Sequence, residues 1–196
     1  MPNSLDFREK LLLDSDIKQS GYDVISQFNG KICYINVKDK LVERLDWNLE
    51  DIAVTIVRTG NKIKTHEHLK NVKLTDLSEL ELISSETVKS FKKREKTSFF
   101  DGVNLYYQEL INLNLICQDS RLLVAKIKRE TTWFHAAKAC GAAGADTILV
   151  IHDLKDAKKT KKYFQASNLE VIFSGNQFSA GMKKDLDSSA NNEADI

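Results

Sequence analysis

Residues 147–151 read Thr-Ile-Leu-Val-Ile, an apolar run without the alternation of a strand that keeps one face wet. Runs of this kind are buried on both faces, as in parallel sheets covered by helices. Hiding both faces requires a layered arrangement of sheet and helix. The rest of the chain is compatible with that demand. One Pro and eight Gly in 196 residues are too few for a small all-β barrel, a collagen-like repeat or a Gly/Ser low-complexity chain. With 42% hydrophobic residues and 29 basic against 28 acidic side chains, a disordered polyelectrolyte is also excluded. The length suits one domain or two small ones.

Leu5, Phe7, Leu11, Leu12 and Ile17 fall at helical spacing ahead of Gly21. Val24–Ser26 and Lys31–Val37 are β-rich segments around Phe28-Asn29-Gly30, where Asn-Gly is able to form a tight hairpin turn. Ile52–Arg58 is a further strand, turned by Thr59-Gly60-Asn61 toward Lys62–Thr65, and Val72–Leu74 and Leu80–Ile83 are shorter extended pieces. Residues 84–98 are polar and charged, with little apolar periodicity, and are expected to link two parts. Beyond them Phe99, Phe100, Val103, Tyr106, Tyr107, Leu110 and Ile111 mark a helix, and Leu113–Cys117 and Leu122–Ile127 two strands. Ala-rich Thr132–Ala143 is expected to be helical, Thr147–Ile151 a buried strand, Asp156–Ala166 a basic amphipathic helix and Leu169–Phe173 a last strand. The fold class expected is therefore α/β (α+β), a mixed sheet flanked by helices, with an α-β-β-α-β-α-β core at 99–180. A smaller α+β part occupies 1–83, and the polar end 181–196 is expected to be disordered.

Cys33, Cys117 and Cys140 are widely spaced within apolar stretches, as reduced core thiols are, which points to the cytoplasm. No apolar run approaches the roughly 18 residues of a spanning helix, so a membrane partner is not expected. With charges balanced overall, any phosphate-binding face must come from local clusters. One cluster is Lys89, Lys92, Lys93, Arg94 and Lys96; the other is Lys155, Lys158, Lys159, Lys161 and Lys162. Lys155, Lys158, Lys159 and Lys162 form a stripe along one helical face, suited to tracking phosphates.

Asp119, the segment Leu122–Arg129, the Ala-rich helix, the buried strand, the basic helix and the last strand come in an order that has a precedent. Over residues 99–175 it resembles the core of the restriction-endonuclease-like superfamily, the PD-(D/E)xK nucleases, and most nearly the Mrr branch. The resemblance implies that Lys128 is the motif lysine and that Asp119 is the first acid and a metal ligand, with Mg2+ as cofactor if the site is catalytic. Residues i and i+2 of a strand share a face, which is how such a motif brings an acid and a lysine to one metal-activated water. Lys126 stands where the family carries an acid or Gln, so the second acid would have to come from elsewhere, such as Glu130. The implied partner is DNA or RNA, bound by Lys126, Arg129, Lys155, Lys158, Lys159 and Lys162. The stretch Ala142–His152 also resembles the helix-to-strand passage of orotidine-phosphate-decarboxylase-like barrels.

Two other constellations carry titratable chemistry. His152-Asp153 ends the buried strand, at the edge where α/β sheets bind ligands, and His66-x-His68 would share a strand face. The leading expectation is a nucleic-acid-binding protein of nuclease descent. The alternatives are a non-enzymatic interaction module with a protein partner or a second copy, and a small-molecule enzyme using His152 and Asp153.

Overall fold

The computed structural model describes residues 22–36, 38–60, 76–141 and 144–180. In chain order the elements are α1 (Tyr22–Asn29), β1 (Ile32–Asn36), β2 (Leu41–Leu45), β3 (Ile52–Arg58), α2 (Ser78–Lys92), α3 (Lys96–Asn112), α4 (Gln118–Glu130), β4 (Phe134–Cys140), β5 (Thr147–Asp153), α5 (Ala157–Ala166) and β6 (Glu170–Gly175). They fall into two units, one of Met1–Trp47 with Gln177–Ile196 and one of Asn48–Asn176.

In the smaller unit β1 and β2 form an antiparallel hairpin, with Ile32 opposite Leu45 and Asn36 opposite Leu41. The turn lies at Lys38–Lys40, where the Asn36 and Asp39 side chains bond each other and Lys40 takes a positive φ of 51°. Asn29-Gly30, expected to turn a hairpin, ends α1 instead. Gly30 adopts φ 66° and its N–H returns to the Ser26 carbonyl, closing the helix end in the left-handed conformation that glycine permits.

In the larger unit four strands lie in the order β4-β5-β3-β6, and each neighbouring pair is antiparallel. β3 and β4 therefore run parallel with β5 between them, and β5 and β6 run parallel with β3 between them. Two interleaved split β-α-β units of this kind make a ferredoxin-like sheet. The α+β class with helix-flanked sheets is as expected; the strand directions are not mixed between neighbours. β3 and β5 are central and buried on both faces, so an unalternating apolar run marks a central strand here without any parallel neighbour. Val57, Ala137, Ala139, Ile148 and Val150 supply the sheet side of the core. Tyr107 of α3, Val124 and Ile127 of α4 and Phe164 of α5 close over them.

Several segments differ in kind from expectation. Val24–Ser26 lies in α1, and Leu113–Cys117 is the turn that joins α3 to α4, with no strand pairing. Leu122–Ile127 belongs to α4, where Ser120, Val124 and Ile127 are buried at the i, i+4, i+7 spacing of one helical face. Ala-rich 134–140 is strand β4; its alanines 136, 137 and 139 are buried, and small side chains let α3 and α4 approach the strand closely. Leu80–Ile83 lies within α2. Residues 84–98 run through the end of α2, a turn at 93–95 and the start of α3, with Phe91 buried against Phe99 at 5.2 Å between ring centroids. The helix expected at 5–19, the pieces 62–65 and 72–74 and the end 181–196 lie outside the described residues. Among the described residues no helix is long and apolar enough to cross a membrane.

α2 and α3 pack so closely at Gly102 that a Cβ there would lie 2.2 Å from Thr87 Oγ1 and 3.0 Å from Thr87 Cβ. Alanine would normally stabilise a helix interior by about 1 kcal/mol over glycine. Gly102→Ala is expected to reverse that sign and cost about 1–3 kcal/mol through overpacking, measured by urea unfolding. A stability gain would show that the two helices separate without cost.

Candidate functional site

The register of the sheet brings the start of β3, the start of β4 and the end of β5 to one place, since Ile52 pairs with Asp153 and Phe134 with His152. The first two turns of α3 complete a cavity of about 420 Å³ lined by Asp51, Ile52, Lys96, Thr97, Phe100, Asp101, His135 and Asp153. Within this lining His135 Nε2 lies 2.7 Å from Asp153 Oδ1. A carboxylate only accepts, so Nε2 carries the proton in this bond. The imidazole also stacks on Phe100, with centroids 4.6 Å apart and planes within 5°.

Cations surround the carboxylates. Asp153 also takes Lys155 at 3.1 Å, and Asp51 takes Lys96 at 2.5 Å. The His135 hydrogen bond, followed by that of Lys155, holds the Asp153 carboxyl below its usual value; Lys96 does the same for Asp51.

His135 reaches this cavity because of a β-bulge. Ala137 pairs with Val150 and Ala136 with Ile151, but Phe134, not His135, pairs with His152. Strict alternation would turn His135 to the same face as Ala137, into the core. The extra residue lets Phe134 take that position, stacked on Phe164 at 5.9 Å, and releases His135.

His152, the histidine singled out in the sequence, is fully buried and faces away from this chemistry. Its Nδ1 lies 2.8 Å from the Asp153 carbonyl and its Nε2 2.8 Å from Thr55 Oγ1, which is 2.8 Å from Ser174 Oγ. A carbonyl only accepts, so Nδ1 donates and Nε2 accepts from Thr55. Both nitrogens of a neutral ring are thereby satisfied, and burial pushes its pKa down. It is a cross-strand tie in the sheet. Asp153, expected to act with His152, instead pairs with His135, whose only signal was a position at the start of what looked like a helix.

The remaining expected residues do not converge. Asp119 lies in the first turn of α4 and Lys128 in its last turn, about 13 Å apart by helical rise. Lys126 and Lys128 do not share a face in a helix. Lys128 donates to Asn104 Oδ1 at 2.8 Å, with burial lowering its pKa. Glu130 accepts from the Tyr163 hydroxyl at 2.9 Å; burial and this carboxylate push the Tyr163 phenol up to about 12. Lys126, Arg129, Lys158 and Lys162 are exposed, whereas Lys155 is bonded to Asp153 and Lys159 lies 3.6 Å over the Trp133 ring. Among the described residues no group of three or more His, Cys, Asp or Glu is placed to hold a metal. His66 and His68 lie outside the described residues.

No protein-family model matches the sequence, and no curated protein does. Solved structures do match. Galactokinase of Lactococcus lactis, complexed with galactose, shares 11% identity at a TM-score of 0.65, covering 92% of this chain and 61% of that one. Phosphomevalonate kinase of Streptococcus pneumoniae, in complex with phosphomevalonate and AMPPNP, shares 13% at a TM-score of 0.60, covering 88% and 50%. Homoserine kinase of Cytophaga hutchinsonii shares 12% at 0.60, covering 91% and 58%. In fold the chain is similar to these structures, which are kinases of the GHMP type. The chain spans about half the length of the structures it matches.

This fold replaces the restriction-endonuclease-like core, whose motif strand is here the helix α4, and with it the reading as a DNA- or RNA-binding nuclease. The barrel resemblance also falls, because β5 is antiparallel to both neighbours in an open sheet.

The buried tie makes a pH-dependent contribution. His152 has a lowered folded pKa, so below about 6.5 the unfolded chain binds a proton that the folded one resists, and stability falls as pH falls. Urea unfolding between about pH 7 and about pH 5 is expected to show this slope, and His152→Gln to flatten it. An unchanged slope in that variant would mean that the ring is not held neutral. The Asp51 and Asp153 carboxyls act in a separate window, losing their contribution as pH falls below the ordinary carboxylate value of 3.8.

Proposed function

We propose that this chain carries the small-molecule site of a kinase-like enzyme, and that the cavity at Asp153 and His135 takes a small polar acceptor with a hydroxyl group. The observation that carries this reading is a histidine–carboxylate pair, stacked under an aromatic ring in a cavity, on a fold whose solved examples include galacto-, homoserine and phosphomevalonate kinases.

The chemistry follows from the bond directions. With Nε2–H donated to Asp153, neutral His135 keeps the lone pair on Nδ1, which is able to take the proton of an acceptor hydroxyl. The imidazolium so formed gains from the adjacent Asp153 carboxylate. Phe100 holds the ring plane. Lys96 in the cavity lining, and Lys155 bonded to Asp153, provide the positive charge that a phosphoryl group requires.

A magnesium–nucleotide complex is the phosphoryl donor expected of such an enzyme, and AMPPNP is bound by one of the matching proteins. The cavity carboxylates do not fit a resident metal, since Asp51 is engaged by Lys96 and Asp153 by His135 and Lys155. A divalent cation is not assigned to them.

Calorimetric titration with galactose, homoserine and phosphomevalonate tests the site. At least one is expected to bind, and His135→Gln and Asp153→Asn are each expected to weaken it about tenfold or more, or about 1.4 kcal/mol. Failure of the folded chain to bind any of the three, or binding indifferent to both substitutions, would overturn the proposal.

A further inference from the structure

β4 is an edge strand, paired with β5 on one side only, so backbone groups on its other side, at and just beyond the bulge, need hydrogen bonds from elsewhere. At the β4 bulge one side chain supplies them. Asn104, on α3, donates from Nδ2 to the His135 carbonyl at 3.0 Å, and its Oδ1 faces the Ala137 N–H at 3.4 Å. Its amide thus spans the bulge from one side to the other.

The orientation of that amide is itself determined. Lys128 Nζ lies 2.8 Å from Asn104 Oδ1, and an ammonium only donates. The oxygen must therefore face the lysine, which directs the NH2 group at His135. The Lys128 ammonium also lies 5.8 Å over the Tyr107 ring, a second contact at the same position. The lysine that resembled a nuclease motif residue is thus connected to the cavity through one asparagine.

We propose that Asn104, oriented by Lys128, is a positioning residue that clamps the β4 bulge and so holds His135 against Asp153 and Phe100. It touches no ligand and acts through the backbone of His135. The inference builds on the cavity as the functional site proposed above, but its test needs no ligand, so the two readings fail separately.

Asp153 reports the position of His135, because the hydrogen bond from that ring is the leading cause of its lowered pKa. The other charged groups facing it, Lys155 and Asp51 with its partner Lys96, remain unchanged in the variants used. The Asp153 carboxyl is titrated by carbon-13 NMR in the full chain, in Asn104→Ala, Asn104→Asp, His135→Ala and the double variant Asn104→Ala/His135→Ala. Asn104→Ala is expected to raise the Asp153 pKa most of the way that His135→Ala does, and the double variant no further than His135→Ala alone. Asn104→Asp keeps an acceptor for Lys128 and Ala137 but has no donor for the His135 carbonyl, so it is expected to behave as Asn104→Ala. It also carries the test if the alanine variant does not fold. A merely structural role would lower the melting temperature and leave Asp153 titrating as in the wild type. That result in either folded Asn104 variant, additive effects in the double variant, or no change in His135→Ala would overturn the inference.

Discussion

The in-register pairing of β3 with β5 is the constraint on which the larger unit depends. Seven residues of each strand face one another from Ile52–Asp153 to Arg58–Thr147. Both strands are flanked on either side by another strand and are largely buried. A one-residue slip would move every side chain to the opposite face. It would also carry Asp153 away from the start of β3 and dismantle the cavity. Structural stability and site geometry therefore rest on the same register.

Polar groups within this sheet are arranged to be satisfied without water. The chain from Ser174 through Thr55 and His152 to the Asp153 carbonyl crosses β6, β3 and β5, with each group bonded to the next. Left unpaired, any of these buried groups would cost on the order of 1–3 kcal/mol. The same bond from His152 fixes the carbonyl of Asp153, so the buried tie and the cavity carboxylate belong to one residue pair with opposite tasks. One histidine is confined to a neutral core role, while the other is partly exposed beside cations and an aromatic ring.

Much of the larger unit was legible along the chain because its elements bury regular patterns. Ile52–Arg58 and Thr147–Ile151 were readable as strands from their apolar runs, and the helices expected from residue 99 and from residue 156 by their periodicity. The errors cluster where local and tertiary preferences diverge. Ala-rich 134–140 has helical propensity, yet it pairs with β5 because only small side chains fit beneath α3 and α4. Leu122–Ile127 looks β-prone in isolation, but the buried Ser120, Val124 and Ile127 define a helical stripe that a period-2 reading overlooks. Misreading that helix produced the nuclease motif, since acid and lysine share a face only on a strand.

By itself, the amino-acid sequence determined that sheet and helix must be layered, that strands lie near 52–58 and 147–151, and that His152-Asp153 follow the second of them. These follow from burial patterns, which each segment carries locally. That the two strands are central neighbours in one sheet came from the structure. Only the tertiary structure decided strand order, strand direction and the histidine that meets Asp153. That last choice depends on a bulge between Phe134 and Ala136, which exists only once β4 has paired with β5 and which carries at His135 a hydrogen bond from Asn104, some thirty residues earlier. No local pattern encodes it, because the competition it resolves, Phe134 or His135 in the core, is between neighbours for a place that the folded sheet creates.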